Sequence, residues 1–268
     1  MVHTYRCYKE LVAAYWKSRF VHPLSPVIHT VGLGLIYFSS FLGLWIILER
    51  LDMDTIGYWT RGQIVFIYGL SLAAYGVRCL FFIPFTDLGT HINSGAFDRF
   101  LLRPVNSFVQ IMGTRFDPGS FAHIGFGLLM IWIFRGEYGF DWTPSAFLWL
   151  GLAIISGGVA QGAITVVIGT CGFFMQNTGS LNDLYGNLRN FVWYPVTLFN
   201  RFIQFVLFFV IPLAFSSYVP AGVLLSNAEY DALPIFIWRM LLLVPFLLLA
   251  LSYQFWKFGL SRYKSTGS

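Results

Sequence analysis

The sequence predicts an all-α, polytopic integral membrane protein, and three observations lead there. Of its 268 residues, 57% are hydrophobic and only 11% are charged, where soluble domains carry roughly 25% charge. The mean hydropathy is +0.67. Apolar runs recur along the chain at about the 20-residue length that a helix needs to cross a hydrocarbon core. Six such spans with short connections account for nearly all of residues 1–268, which leaves one transmembrane domain and no room for a second.

The net charge of +5 does not mark a nucleic-acid binder. The 17 Lys and Arg are scattered between apolar runs instead of forming one basic stripe, so they read as topology signals. With the N-terminus inside, the cytoplasmic segments hold twelve of them and the external segments three. That bias predicts a multi-pass protein of the cell (inner or plasma) membrane with both termini cytoplasmic. Cys7, Cys79 and Cys171 have no metal-type spacing, which argues against zinc or a disulfide framework.

The elements follow in order. Residues 1–22 predict an interfacial helix, with Tyr5, Tyr8, Val12, Tyr15 and Trp16 on one face and Arg6, Glu10 and Lys17 on the other, broken by Pro23 and Pro26. Spans are predicted at 27–48, 63–84, 119–135, 146–172, 202–218 and 235–256. The cytoplasmic connections 85–118 and 173–201 are longer than helical hairpins need. The external stretch 217–233 is too apolar for a free loop and too short to cross twice, so it reads as a re-entrant cap.

The 85–118 connection holds the segment that orders the rest. Over Asn93–Val105 a short amphipathic helix is predicted, with Asn93 or Ser94 as cap, Phe97, Phe100 and Leu101 on one face, Arg99 and Arg103 opposite, and Pro104 as stop. Such a helix, tied at both ends to membrane spans, can carry force to a soluble partner.

Catalytic motifs are missing. The four lysines lie outside any G-x-x-x-x-G-K-[ST] pattern, and H-E-x-x-H and G-x-S-x-G are absent. Acidic residues lie almost entirely in loops, which disfavours a proton-coupled carrier. A stand-alone carrier or channel and a membrane-embedded lipid-modifying enzyme are the alternative readings.

Arg78 and Arg239 are the charges within predicted spans; each reads as snorkelling, structural pairing or substrate contact. Gln161 and Gln204 read as interhelical hydrogen-bonding groups or cavity lining. Gly158 and Gly162 form a G-x-x-x-G step whose close contact serves either the bundle or a subunit interface.

Ser94-Gly95-Ala96-Phe97-Asp98-Arg99-Phe100-Leu101-Leu102-Arg103-Pro104-Val105 resembles the G-x-L-D-x-L-L-x-R-P region after span two of the ABC-2 type exporter permeases, specifically their drug- and viologen-exporter-like branch. Phe97 and Phe100 replace the usual leucines. Ile211-Pro212-Leu213-Ala214-Phe215 with Tyr218-Val219-Pro220-Ala221 is similar to the same family's span-five end and external segment. The resemblance implies a transmembrane permease subunit with an N-terminal elbow helix and a coupling helix, made here of Phe97, Asp98, Arg99, Phe100, Leu101, Arg103 and Pro104. It implies two copies of an ABC ATPase, which carry ATP and Mg while this chain binds no cofactor and is no enzyme. A second, similar but nonidentical permease and membrane lipid are the other expected partners. The implied cargo is amphipathic, drug-like or lipid-like and leaves the cytoplasm; 19% aromatic residues fit a lipophilic or cationic compound.

Overall fold

The computed structural model describes residues 2–19, 21, 24–50, 55–56, 59–138, 142–225 and 240–264. Helices dominate them: α1 (Val2–Arg19), α2 (Leu24–Arg50), α3 (Arg61–Phe81), α4 (Leu88–Asn93), α5 (Asp98–Leu101), α6 (Ser107–Thr114) and α7 (Gly119–Ile133). They continue with α8 (Pro144–Cys171), α9 (Gly179–Arg189), α10 (Arg201–Phe205), α11 (Tyr218–Leu225) and α12 (Val244–Arg262). A two-residue β ladder, Thr55–Ile56 with Trp59–Thr60, precedes α3. Thr60 then caps α3 in a capping box with Gln63, which satisfies two otherwise orphaned backbone donors.

α3 and α8 form the centre. Both are apolar all round and mostly buried, as helices surrounded by other helices must be. Small residues let them approach. A Cβ on Gly158 would collide with Val77 of α3, and one on Gly162 with the Phe82 ring. The G-x-x-x-G step therefore sits against the chain's own bundle. On the other side of α3, Gly69 and Gly76 meet the backbone of α7.

α2 flanks this centre through Tyr37, whose hydroxyl meets His123 Nδ1 of α7 at 2.6 Å. Its other face exposes Val27, Ile28, Leu35 and Ile36, a surface suited to hydrocarbon. Among the described residues three helices, Pro26–Arg50, Arg61–Phe81 and Pro144–Cys171, are long and apolar enough to cross a membrane. α6 and α7 together make a fourth when counted as one span, bent by 76° where Asp117 and Pro118 interrupt the ladder.

Two expectations are corrected. The fifth span, expected over 202–218, is broken. α10 runs into a π-helical turn at Val206–Val210, a 3₁₀ turn follows at Leu213–Ser216, and α11 comes after it as a separate buried helix. Pro212 is the cause, because it lacks an N–H and its ring crowds the carbonyl four residues earlier. Ten helical residues rise about 15 Å, half the core thickness. Secondly, the aromatic face of α1 is turned partly onto protein: Trp16 stacks near Phe116 and Phe121, at 6.2 and 6.3 Å between ring centres, and Tyr8 and Leu11 abut Gly113 of α6.

All eight residues of α11 are buried; residues 226–233 of the stretch expected as a cap lie outside the described residues. So do Arg239 and residues 235–239 at the start of the sixth expected span.

Candidate functional site

The segment after α3 is a chain of short turns. α4 ends at Asn93, and Gly95 follows at φ 70°, a left-handed position that glycine takes without strain. Phe97 N–H then donates to the His91 carbonyl at 2.9 Å. The helix beyond is a single turn, Asp98–Leu101, instead of the two turns expected, because Gly95 and Pro104 confine it.

This geometry sorts the predicted residues into anchors and tip. Phe97 is fully buried, against the rings of Phe173 at 5.3 Å, Trp256 at 6.1 Å and Tyr263 at 4.9 Å. Its expected place on a partner-facing surface is therefore corrected: the chain's own aromatic cluster fills that role. Phe100 is half-buried beside it, 6.0 Å away. Asp98 Oδ1 accepts from the Tyr263 hydroxyl at 2.8 Å. Leu101, Leu102, Arg103 and Pro104 are exposed, as is Arg99, whose Nε reaches the Ala96 carbonyl at 3.4 Å.

The tip is bolted from behind. Gln110, 1% exposed, donates from Nε2 to the carbonyls of Phe100 at 3.0 Å and Val105 at 2.6 Å. Asn106 caps α6 through Phe108 N–H at 2.9 Å and donates to the Tyr253 hydroxyl at 3.0 Å. Asn93 Nδ2 donates to the Gln176 carbonyl beyond α8. The exposed turn is thus fastened to the chain just beyond α8 and to the second half of α12. Sequence reading missed Gln110, Tyr253 and Tyr263, whose only sequence signal is polarity next to aromatic positions.

Tyr263 offers a direct test. Desolvation and the Asp98 carboxylate it donates to push its pKa up to about 12 from 10. A pKa raised on folding favours the neutral phenol in the folded state, so this tie is present below pH 10 and is lost as pH rises towards 12. We expect Tyr263→Phe to abolish that late tyrosinate titration and to weaken the tie by about 1 kcal/mol. A spectrophotometric tyrosinate titration identical in variant and wild type would contradict the assignment.

Inside the bundle, Arg78 and Gln161 come together. Arg78, 4% exposed, donates from Nε to Thr165 Oγ1 of α8 at 3.0 Å and lies 5.3 Å from the Tyr185 ring centre. The Tyr185 hydroxyl donates to Gln161 Oε1 at 3.0 Å. Arg78 therefore does not snorkel; it is held inward. Gln204 is separate from this cluster and serves the loop before α10, donating to the Phe199 carbonyl at 2.8 Å, which corrects its reading as a deep cavity or interhelical group.

Residues 35–267 match the family described as ABC-2 family transporter protein. The chain belongs to this family. Comparison with curated proteins finds no match. The permease is accordingly a multi-pass membrane component of an ABC-type transporter, a component that is generally not itself catalytic and typically works with an ABC ATPase. An exposed turn fastened to two long helices acquires meaning in that setting.

Proposed function

We propose that the permease exports an amphipathic, drug-like or lipid-like compound from the cytoplasm, driven by a separate pair of ABC ATPase subunits that hold ATP and Mg. A second permease chain completes the pathway. α1 serves as the elbow helix, and the 93–104 segment couples the ATPase to the bundle. The observation that carries this reading is the division of that segment into an exposed tip, Arg99, Leu101, Leu102 and Arg103, and a buried anchor, Phe97.

The tip has the mixture that docking needs. Leu102, 83% exposed, supplies apolar contact, while Arg99 and Arg103 orient it against acidic groups. Movement imposed on the tip passes through Phe97 to Phe173 at the end of α8 and to Trp256 within α12. A rigid aromatic cluster transmits displacement because close-packed side chains have little room to yield.

An open apolar cleft lies beside these helices. It has a volume of about 480 Å³ and is walled by α8, α9, α12 and the broken segment at Phe209–Pro212. Its size is that of a drug-sized ligand site.

We expect the double variant Arg99→Glu/Arg103→Glu to insert and fold normally yet lose ATPase co-purification and ATP-driven efflux. Reversing two exposed charges alters partner attraction without disturbing buried packing. Wild-type efflux and undiminished ATPase recovery in that variant would refute the coupling role.

A further inference from the structure

The C-terminal end of α3 and one side of α9 border a second, open cavity of about 360 Å³ lined by Tyr75, Arg78, Asp87, Asn182, Tyr185 and Arg189, among others. Its charge is unbalanced. The Arg189 guanidinium lies 3.9 Å from the Tyr75 ring centre, and Arg78 lies 5.5 Å from the same ring. Asp87, the carboxylate on the cavity wall, is engaged with Arg115 at 3.2 Å. Neither Arg78 nor Arg189 is paired with a carboxylate among the described residues.

The donors are also incompletely used. Arg189 Nη1 is buried and makes no hydrogen bond to a described residue. A buried cation without a counter-charge, and a buried donor without an acceptor, each cost several-fold more than their exposed equivalents. Both penalties fall when an anion with several acceptor oxygens enters the cavity that the two guanidiniums line, since their planar forks match phosphate oxygens in pairs. The ring faces that would hold a cationic ligand are already covered by Arg78 and Arg189, so this cavity rejects cations by charge and by occupancy.

Tyr185 supplies the second step. It lines this polar cavity and also the apolar cleft of about 480 Å³, so the two spaces adjoin at this side chain. A head seated beside Arg189 has an apolar trough on the other side of one side chain, lined by Ile164, Ile168, Leu184 and Leu251.

We infer that the paired cavities bind a phosphate-headed amphiphile, with its anionic head in the cavity lined by Arg78 and Arg189 and its alkyl tail in the cleft along α8 and α12. This assignment rests on the export reading only for its meaning as cargo recognition; the site itself stands without the ATPase. It departs from the cationic cargo that aromatic content alone would favour.

The test uses the full chain in nanodiscs of an uncharged, phosphate-free galactolipid, with dodecyl phosphate, dodecyltrimethylammonium and inorganic phosphate as probes, read by the shift of thermal unfolding. Dodecyl phosphate is expected to stabilise wild type saturably. Arg189→Gln should weaken that response by roughly tenfold or more, and Arg189→Lys should restore part of it. Arg201→Gln, an exposed charge elsewhere, should change nothing and controls for bulk surface attraction. Equal stabilisation by dodecyltrimethylammonium, or a response untouched by Arg189→Gln, overturns the proposal. Inorganic phosphate acting at the same concentration as dodecyl phosphate would overturn the tail assignment and leave a site for free phosphate. Because no ATPase is present, failure here leaves the coupling reading to its own co-purification test.

Discussion

Phe97→Ala is expected to destabilise the permease by about 3–5 kcal/mol, the range for truncating a fully buried aromatic ring. The ring meets Phe173, Trp256 and Tyr263 at once, so its loss leaves a cavity among residues that cannot all collapse inward. The same change should disconnect the tip from α8 and α12. ATPase binding then survives better than transport, because Leu101, Leu102, Arg99 and Arg103 remain exposed while the path behind them is loosened. Leu102→Ala provides the opposite case. At 83% exposure it should alter stability by no more than about 0.5 kcal/mol while weakening the ATPase contact. Thermal unfolding, ATPase co-purification and efflux, measured on both variants, separate the two roles. A stable Phe97→Ala protein, or a Leu102→Ala protein as damaged in its folding, would contradict the anchor-and-tip division.

The same segment shows how far the sequence could be read. Gly95 and Pro104 punctuate it plainly, and its position after α3 follows from the hydropathy pattern. The direction of Phe97 does not follow. Phe97, Phe100 and Leu101 share a face on any continuous helix, yet Gly95 at φ 70° and a helix of one turn separate them into buried, half-buried and exposed positions. Amphipathicity identifies an apolar face without saying whether the chain itself or a partner covers it. Span five failed for a related reason. Its residues are apolar enough to cross, but Pro212 breaks the backbone, and counting hydrophobic residues gives that break no weight. Arg189 was read as a topology charge. Its pairing with Trp193 at i, i+4, and of Arg78 with Tyr75 at i, i+3, put a ring about one turn from each arginine, a pattern that a search for carboxylate partners overlooks.

The central helix contact predicts the second large effect. Gly158→Leu should prevent stable folding, with a cost at or above the upper end of the roughly 1–3 kcal/mol usual for overpacking. An added Cβ there meets Val77 Cβ, Val77 Cγ1 at 2.5 Å and the Ala74 carbonyl oxygen at 2.9 Å. A carbonyl oxygen and a Cβ bonded to the backbone cannot move without moving α3, and α3 is clasped from behind by α7 through Gly127, against which its own backbone is packed. Gly162→Leu should cost less, since the atoms in its way belong to the Phe82 ring, which has a rotamer to change. Gly151→Leu, on the same helix with nothing within 4 Å of its Cβ, should be tolerated. The ordering Gly158, Gly162, Gly151 is the signature of intrachain packing, measured as the yield and unfolding temperature of detergent-solubilised monomer. If the G-x-x-x-G step instead joined two permeases, Gly158→Leu would leave the monomer folded and remove only the dimer. A monomer lost outright places the close approach of α3 and α8 beneath everything the permease does, since α3 leads into the tip and carries Arg78, while α8 carries Thr165 and Gln161 and leads to Phe173.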